Sequence, residues 1–112
     1  MTIEQTNVVD FSSINPESGD VWLTISDHLD WQSGTDEELE HLWLLQEKIN
    51  AYLRYMESGE IFEKYPHAKG RKLVINVVGK FPLSEKATFF FEKTKAFLET
   101  GGYKLQFRHR AE

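Results

Sequence analysis

Apolar and polar positions alternate along several segments of the chain and predict β-strands there. Residues 21–26 alternate strictly, which is typical of a strand with one buried face. Residues 8–14 predict a first strand, and the Asn-, Pro- and Gly-containing segment 15–20 between the two predicts a hairpin turn. Residues 72–78 are apolar on both faces, as in a central strand, and residues 103–108 alternate again as a last strand.

Two longer segments repeat apolar residues at helical spacing. Thr35 and Glu38 form the pattern of a capping box, so the first helix should begin there and run to about Glu57. Ser84 should cap a second helix over residues 84–99. The inward stripe of the first helix is predicted to be Leu39, Leu42, Leu45, Ile49, Tyr52, Leu53 and Met56. That of the second is predicted to be Ala87, Phe90, Phe91, Thr94, Phe97 and Leu98.

These elements predict an α+β fold in the order ββαβαβ. Right-handed crossovers should place both helices on one face of a four-stranded mixed sheet, which makes a two-layer sandwich. Residues 59–70 are expected to form a connection that Ile61, Phe62 and Tyr65 pin to the core as one short helical turn. The hairpin could lie at either edge of the sheet or be split by a later strand.

Composition limits the class of protein. With 112 residues, 40% of them hydrophobic, the chain has the size of one domain, residues 1–112, and can build its own core. It has no Cys, which excludes disulfides, thiolate metal sites and a cysteine nucleophile. We expect a cytoplasmic protein, because the chain starts without a secretion signal and has no apolar stretch long enough to span a membrane. No cofactor is expected.

Charge is distributed unevenly around the net value of −5. Residues 1–60 carry 13 acidic and 2 basic residues, whereas residues 61–112 carry 5 acidic and 11 basic residues. This asymmetry could produce a bipolar surface that steers a partner or a second copy, or the fold could mix the two halves. Nucleic acid is not expected as a partner because the domain as a whole is acidic, despite the small group of basic residues at Lys104 and Arg108-His109-Arg110.

Four segments carry a family resemblance. They are residues 23–31 (LTISDHLDW), 44–53 (LLQEKINAYL), 57–61 (ESGEI) and 64–66 (KYP). Together they resemble a bacterial family of small proteins catalogued only as a domain of unknown function. The resemblance spans nearly the whole chain and implies a bacterial protein, but it implies no activity, ligand or catalytic residue.

The densest polar cluster follows the second predicted strand. Asp27, His28 and Asp30 lie just beyond its carboxyl end, where sheets with crossover helices often bind ligands, and His41 could approach from the first helix. These groups could hold a divalent metal ion, or His28 could act as a general base oriented by a carboxylate. The alternative is a loop whose acids cap the nearby helix and bind nothing.

Apolar residues outside the predicted stripes form the second candidate site. Leu44 and Tyr55 fall on the side of the first helix opposite its core stripe, Trp43 flanks them, and Phe89 is similarly out of phase on the second helix. Trp22 adds an aromatic group on the open sheet face. Large apolar side chains in such places indicate an interface, unless residues 59–70 fold over them.

The sequence therefore favours a small binding or interaction module that does no chemistry and self-associates, with a homo-oligomer or another protein as its partner and no membrane. Two alternatives stay open. One is a small metal-assisted or acid–base enzyme at the loop of Asp27, His28 and Asp30. The other is an immunity-like or regulatory partner of another protein.

Overall fold

A computed structural model describes residues 11–110 of the chain. Residues 8–10 of the predicted first strand lie outside this part. The elements in chain order are β1 (Phe11–Ile14), β2 (Val21–Asp27), α1 (Asp36–Glu57), α2 (Glu60–Lys64), a 3₁₀ turn (Pro66–Ala68), β3 (Leu73–Gly79), α3 (Glu85–Thr100) and β4 (Lys104–His109).

The strands lie in one sheet in the order β1-β2-β3-β4. β2, β3 and β4 run parallel, and β1 adds an antiparallel edge to β2. The turn before β2 follows the predicted hairpin chemistry. The Asn15 side-chain oxygen accepts a hydrogen bond from the Glu17 N–H at 2.8 Å, and Gly19 takes a positive φ of 77°.

The fold class predicted from the sequence, a ββαβαβ sandwich with two helices, is wrong. The described residues contain three α-helices and a sheet in which three strands are parallel. The third helix arises because Gly59, at a φ of 83°, turns the chain directly after α1 and lets Glu60–Lys64 start a new helix. The connection over residues 59–70 therefore has more regular structure than expected.

The register of the parallel strands divides the sheet into two faces. Leu23 pairs with Ile75 and Ile75 with Leu105, so odd-numbered residues of all three strands point to one side. These residues join Leu45 and Phe91 of the long helices in a single buried cluster. The even-numbered residues of the same strands consequently form the opposite face.

One carboxylate links the beginnings of the two long helices. Thr35 caps α1 as predicted, but Glu38 does not close the expected capping box on the Thr35 N–H. Its Oε1 accepts from the Gly34 N–H at 2.9 Å, and its Oε2 accepts from the Ser84 hydroxyl at 2.6 Å. Because Ser84 also accepts from the Ala87 N–H as the cap of α3, Glu38 places the first turns of α1 and α3 side by side.

Within residues 11–110, none of the helices combines the length and the apolar character that crossing a membrane would require.

These hydrogen bonds lower the pKa of Glu38 below its ordinary value, the bond from Ser84 having the largest effect and that from Gly34 the next. A carboxyl whose pKa is lower in the folded state stabilises the fold above its unfolded pKa and loses that contribution as the pH falls through the folded value. We therefore expect Glu38→Gln to have a lower free energy of unfolding than the wild type at neutral pH. The difference should shrink on acidification.

Urea denaturation from neutral to acidic pH measures this difference. Glu92→Gln, the same change at an exposed position of α3, is the control and should differ little from the wild type at any pH. A Glu38→Gln deficit that stays constant down to acidic pH would contradict the proposed role of the ionised carboxylate.

Candidate functional site

The loop after β2 contains a buried histidine–aspartate pair. His41 Nε2 lies 2.6 Å from Asp27 Oδ2, and the side chains are 2% and 1% exposed. Asp27 Oδ1 accepts from the Leu29 N–H at 3.1 Å, so both carboxylate oxygens have partners. Trp31 stacks on the His41 ring with 3.5 Å between ring centroids, which shields the pair from solvent.

Both ring nitrogens of His41 are held by oxygens of the protein. Nδ1 donates to the Asp30 carbonyl oxygen at 3.0 Å, since a carbonyl oxygen can only accept. Nε2 lies at hydrogen-bond distance, 2.6 Å, from Asp27 Oδ2. These contacts join the end of β2 to the first turns of α1.

The candidate site predicted at this loop is brought together only in part. The structure brings together Asp27, His41 and the main chain of Asp30. His41 approaches the loop from the first helix, as the sequence analysis considered. The side chain of Asp30 instead points to Gln32 at 3.4 Å, and His28 is exposed. Among the side chains of the described part, no three His, Asp or Glu groups are arranged to hold a metal ion.

This arrangement is poorly suited to general acid–base catalysis. A catalytic histidine needs one ring nitrogen within reach of substrate while the other is held by an orienting group. Both nitrogens of His41 are instead directed at oxygens of the protein itself. The buried polar pair instead holds the loop to α1.

The apolar residues predicted as an interface fall into two groups. Trp43 and Phe89 are 56% and 63% exposed on the outer faces of α1 and α3. Tyr55 is buried, Leu44 is half-buried against the core, and Trp22 is half-buried with the Arg108 guanidinium 5.7 Å from its ring centre. Trp43 and Phe89 therefore remain candidates, whereas Tyr55 is unavailable on the surface of the protomer.

Tyr55 is buried near α2. This is the alternative in which residues 59–70 fold over an apolar residue outside the predicted stripes. Ile61 of α2 is fully buried in the core cluster, and α2 packs on the end of α1. Burial raises the pKa of Tyr55 above its ordinary value, with smaller contributions from Tyr65 and Glu60. At least one apolar residue outside the predicted stripes, Tyr55, is thus covered by another segment of the same chain.

Two residues assigned to the core stripes are exposed instead. Leu39 is 53% and Phe97 67% exposed, so the prediction that they point inward is wrong. Phe97 lines a groove of about 260 Å³ between α1 and α3, together with residues such as Ile49 and Phe90. The buried stripes are therefore narrower than helical spacing alone suggested. The helical layer exposes several apolar side chains to solvent.

The outer faces of α1 and α3 carry matching patterns of opposite charge, which the sequence reading missed. On α1, Glu40, Trp43 and Glu47 form an acidic stripe, with Glu47 half-buried and the others exposed. On α3, Lys86, Phe89 and Lys93 form a basic stripe with identical spacing, and all three are exposed. Positions three and four residues apart share one helix face, so each aromatic ring is flanked by two like charges.

A comparison with known protein families identifies the family of the chain. The model of DUF6572, described as a family of unknown function, matches residues 1–111. The chain belongs to this family. Membership confirms the predicted resemblance to a family of unknown function, and it assigns no activity, since the family description names none. No curated protein and no solved structure gives a significant match to the chain.

His41→Ala should destabilise the fold strongly, because it leaves the Asp27 carboxylate buried without its partner. Removing one member of a buried ion pair typically costs about 3–5 kcal/mol. A double-mutant cycle with Asp27→Ala should give a coupling free energy on the order of 0.5–3 kcal/mol. Chemical denaturation measures both quantities.

The matched control is His67→Ala, which removes an exposed imidazole and should change the free energy of unfolding by no more than about 0.5 kcal/mol. Equal small losses for His41→Ala and His67→Ala would show that the buried pair does not hold the loop.

Proposed function

We propose that the protein is a protein-interaction module that self-associates through the outer faces of α1 and α3. The observation that carries the proposal is the matching of the acidic stripe to the basic stripe. Trp43 and Phe89 supply exposed aromatic surface of the kind that anchors interfaces. The flanking charges supply the orientation.

The levels of the two stripes along the helices favour a defined arrangement. α1 and α3 both cross between parallel strands, so they run in the same direction. The 2.6 Å bond between Glu38 and Ser84 sets their first turns at one level. Trp43 follows Glu38 by five residues, and Phe89 follows Ser84 by five residues. On this count the two rings are at the same height along the parallel helices.

By the same count, each acid of one stripe has a base opposite it. Glu40 is level with Lys86, and Glu47 is level with Lys93. A two-fold axis that runs parallel to the helices, above the outer face of the helical layer and over the space between α1 and α3, would lay α1 of one copy on α3 of the other without changing these levels. Each copy would then place acid against base and ring against ring, twice in a symmetric dimer.

The relative sizes of the effects assign separate roles to the rings and the charges. Burying apolar surface contributes roughly 25 cal/mol per Å², and buried aromatic side chains dominate interface energetics. Exposed ion pairs contribute only about 0–1 kcal/mol each and weaken with salt. We therefore assign affinity to Trp43 and Phe89 and assign orientation and association rate to the charged pairs.

The two alternatives have less support. Acid–base chemistry at the loop lacks an available ring nitrogen on His41, and the metal hypothesis lacks a third converging ligand among the described residues. An immunity-like or regulatory role would use the same outer face to bind a different protein. That role predicts a protein that stays monomeric in isolation at all concentrations.

Charge reversal tests the arrangement directly. Glu40→Lys with Glu47→Lys makes both stripes basic, and Lys86→Glu with Lys93→Glu makes both acidic. Each double variant should stay monomeric in sedimentation equilibrium at concentrations where the wild type dimerises, because like charges face each other. An equimolar mixture of the two variants should form a heterodimer, because each stripe again meets its opposite.

Trp43→Ala is the companion variant and should weaken wild-type dimerisation by at least about tenfold, as truncation of an interface anchor does. Lys95→Glu, an exposed charge reversal outside the stripe on α3, is the control and should leave dimerisation unchanged. A monomeric wild type at millimolar concentration, or a mixture that does not associate although both variants fold, would refute the proposal.

A further inference from the structure

The open sheet face has a cleft at the carboxyl ends of the parallel strands. It encloses about 240 Å³ and lies on the side of the sheet away from the helices. Its lining is Ser26, Asp27, His28, Val78, Lys80 and Arg110. The carboxyl ends of parallel strands are where sheets with crossover helices commonly hold ligands.

The register brings basic residues from three chain segments to this edge. Asp27 pairs with Gly79, and Gly79 pairs with His109 at the ends of the three parallel strands. The next residue of each segment is His28, Lys80 or Arg110. We call these three residues the basic edge; all three are exposed and line or border the same cleft.

Main-chain hydrogen bonds fix the positions of two residues of the basic edge, Lys80 and Arg110. The Lys80 N–H donates to the Asp27 carbonyl at 2.9 Å, and the Arg110 N–H donates to the Gly79 carbonyl at 2.8 Å. These bonds extend the strand pairing by one residue beyond the strand ends. The cationic side chains therefore start from backbone held in place by the sheet, which reduces the ordering cost of binding.

The remaining lining residues suit an anion. Ser26 offers an exposed hydroxyl donor, and Val78 gives the cleft a half-buried apolar floor. Asp27 is the one acidic lining residue, and its two oxygens are already taken by the Leu29 N–H and by His41. Arg108, which pairs with Val78 in the register, lies on the same face, but its guanidinium is at the Trp22 ring and does not line the cleft.

We propose that this cleft binds the phosphoryl group of a small phosphorylated molecule. Lysine and arginine are the residues that proteins use for phosphate, Arg through its planar fork and Lys as a point charge. Three neighbouring strands span only about 10 Å, which matches a small ligand. A long nucleic acid fits less well, because the chain carries a net charge of −5 and an acidic first half. The site lies on the face opposite the proposed dimer surface and does not depend on it.

Titration of the full chain with pyrophosphate and with inorganic phosphate, followed by NMR, tests the proposal. Signals of Ser26, Lys80 and Arg110 should shift and saturate. The double variant Lys80→Gln with Arg110→Gln should weaken pyrophosphate binding by at least about tenfold, since two charge-assisted contacts are lost. Lys69→Gln with Lys95→Gln removes the same total charge from exposed positions elsewhere and should leave binding unchanged.

Three results would overturn the proposal. Equal weakening by the two double variants would mean that net charge alone attracts the anion. Citrate binding as tightly as pyrophosphate would show that the cleft does not select a phosphoryl group. A single-stranded oligonucleotide binding far more tightly than pyrophosphate would identify the face as a nucleic-acid surface.

Discussion

The common register of β2, β3 and β4 is the constraint on which the structure depends. Parallel strands joined by right-handed crossovers receive their helices on one side, so Leu23, Ile75 and Leu105, one from each strand, are buried together. A shift of one residue in any strand would exchange its buried and open faces. The same register leaves two surfaces for function, namely the outer side of the helical layer and the even-numbered face of the sheet.

Two polar contacts position the helical layer, one between the sheet and α1 and one between α1 and α3. The Asp27–His41 pair joins the end of β2 to the start of α1, and Glu38 joins the start of α1 to that of α3. Buried polar groups are costly unless every partner is present, so each contact is sensitive to the loss of one member. Because Glu38 links the first turns of the two helices, it would also set the level at which the acidic and basic stripes meet in the proposed dimer.

Local patterns predicted most of the elements correctly. The capped helix start at Thr35, the cap at Ser84 and the strand over residues 21–26 are confirmed, since a few neighbouring residues determine each of them. The helix α2 was expected only as one helical turn within a connection, because its five residues are too few for a periodic signal. The prediction that Leu39 and Phe97 face the core was wrong, because the packing of α1 against α3 is a tertiary property that no single helix pattern contains. The pairing of Glu38 with Ser84 spans 46 residues and likewise lacked a local signal.

The central claim is that α1 of one copy lies on α3 of another at matching levels, and disulfide cross-linking tests it most directly. The chain has no Cys, so introduced thiols are unique. Asn50 and Ala96 lie one turn beyond the stripes, on α1 and α3 respectively, and are level by the count that pairs Glu38 with Ser84. Mixed Asn50→Cys and Ala96→Cys proteins should cross-link to each other under mild oxidation much faster than either cross-links to itself. Cross-linking of Asn50→Cys to itself at the same rate as in the mixture, or no cross-linking at all, would contradict the account.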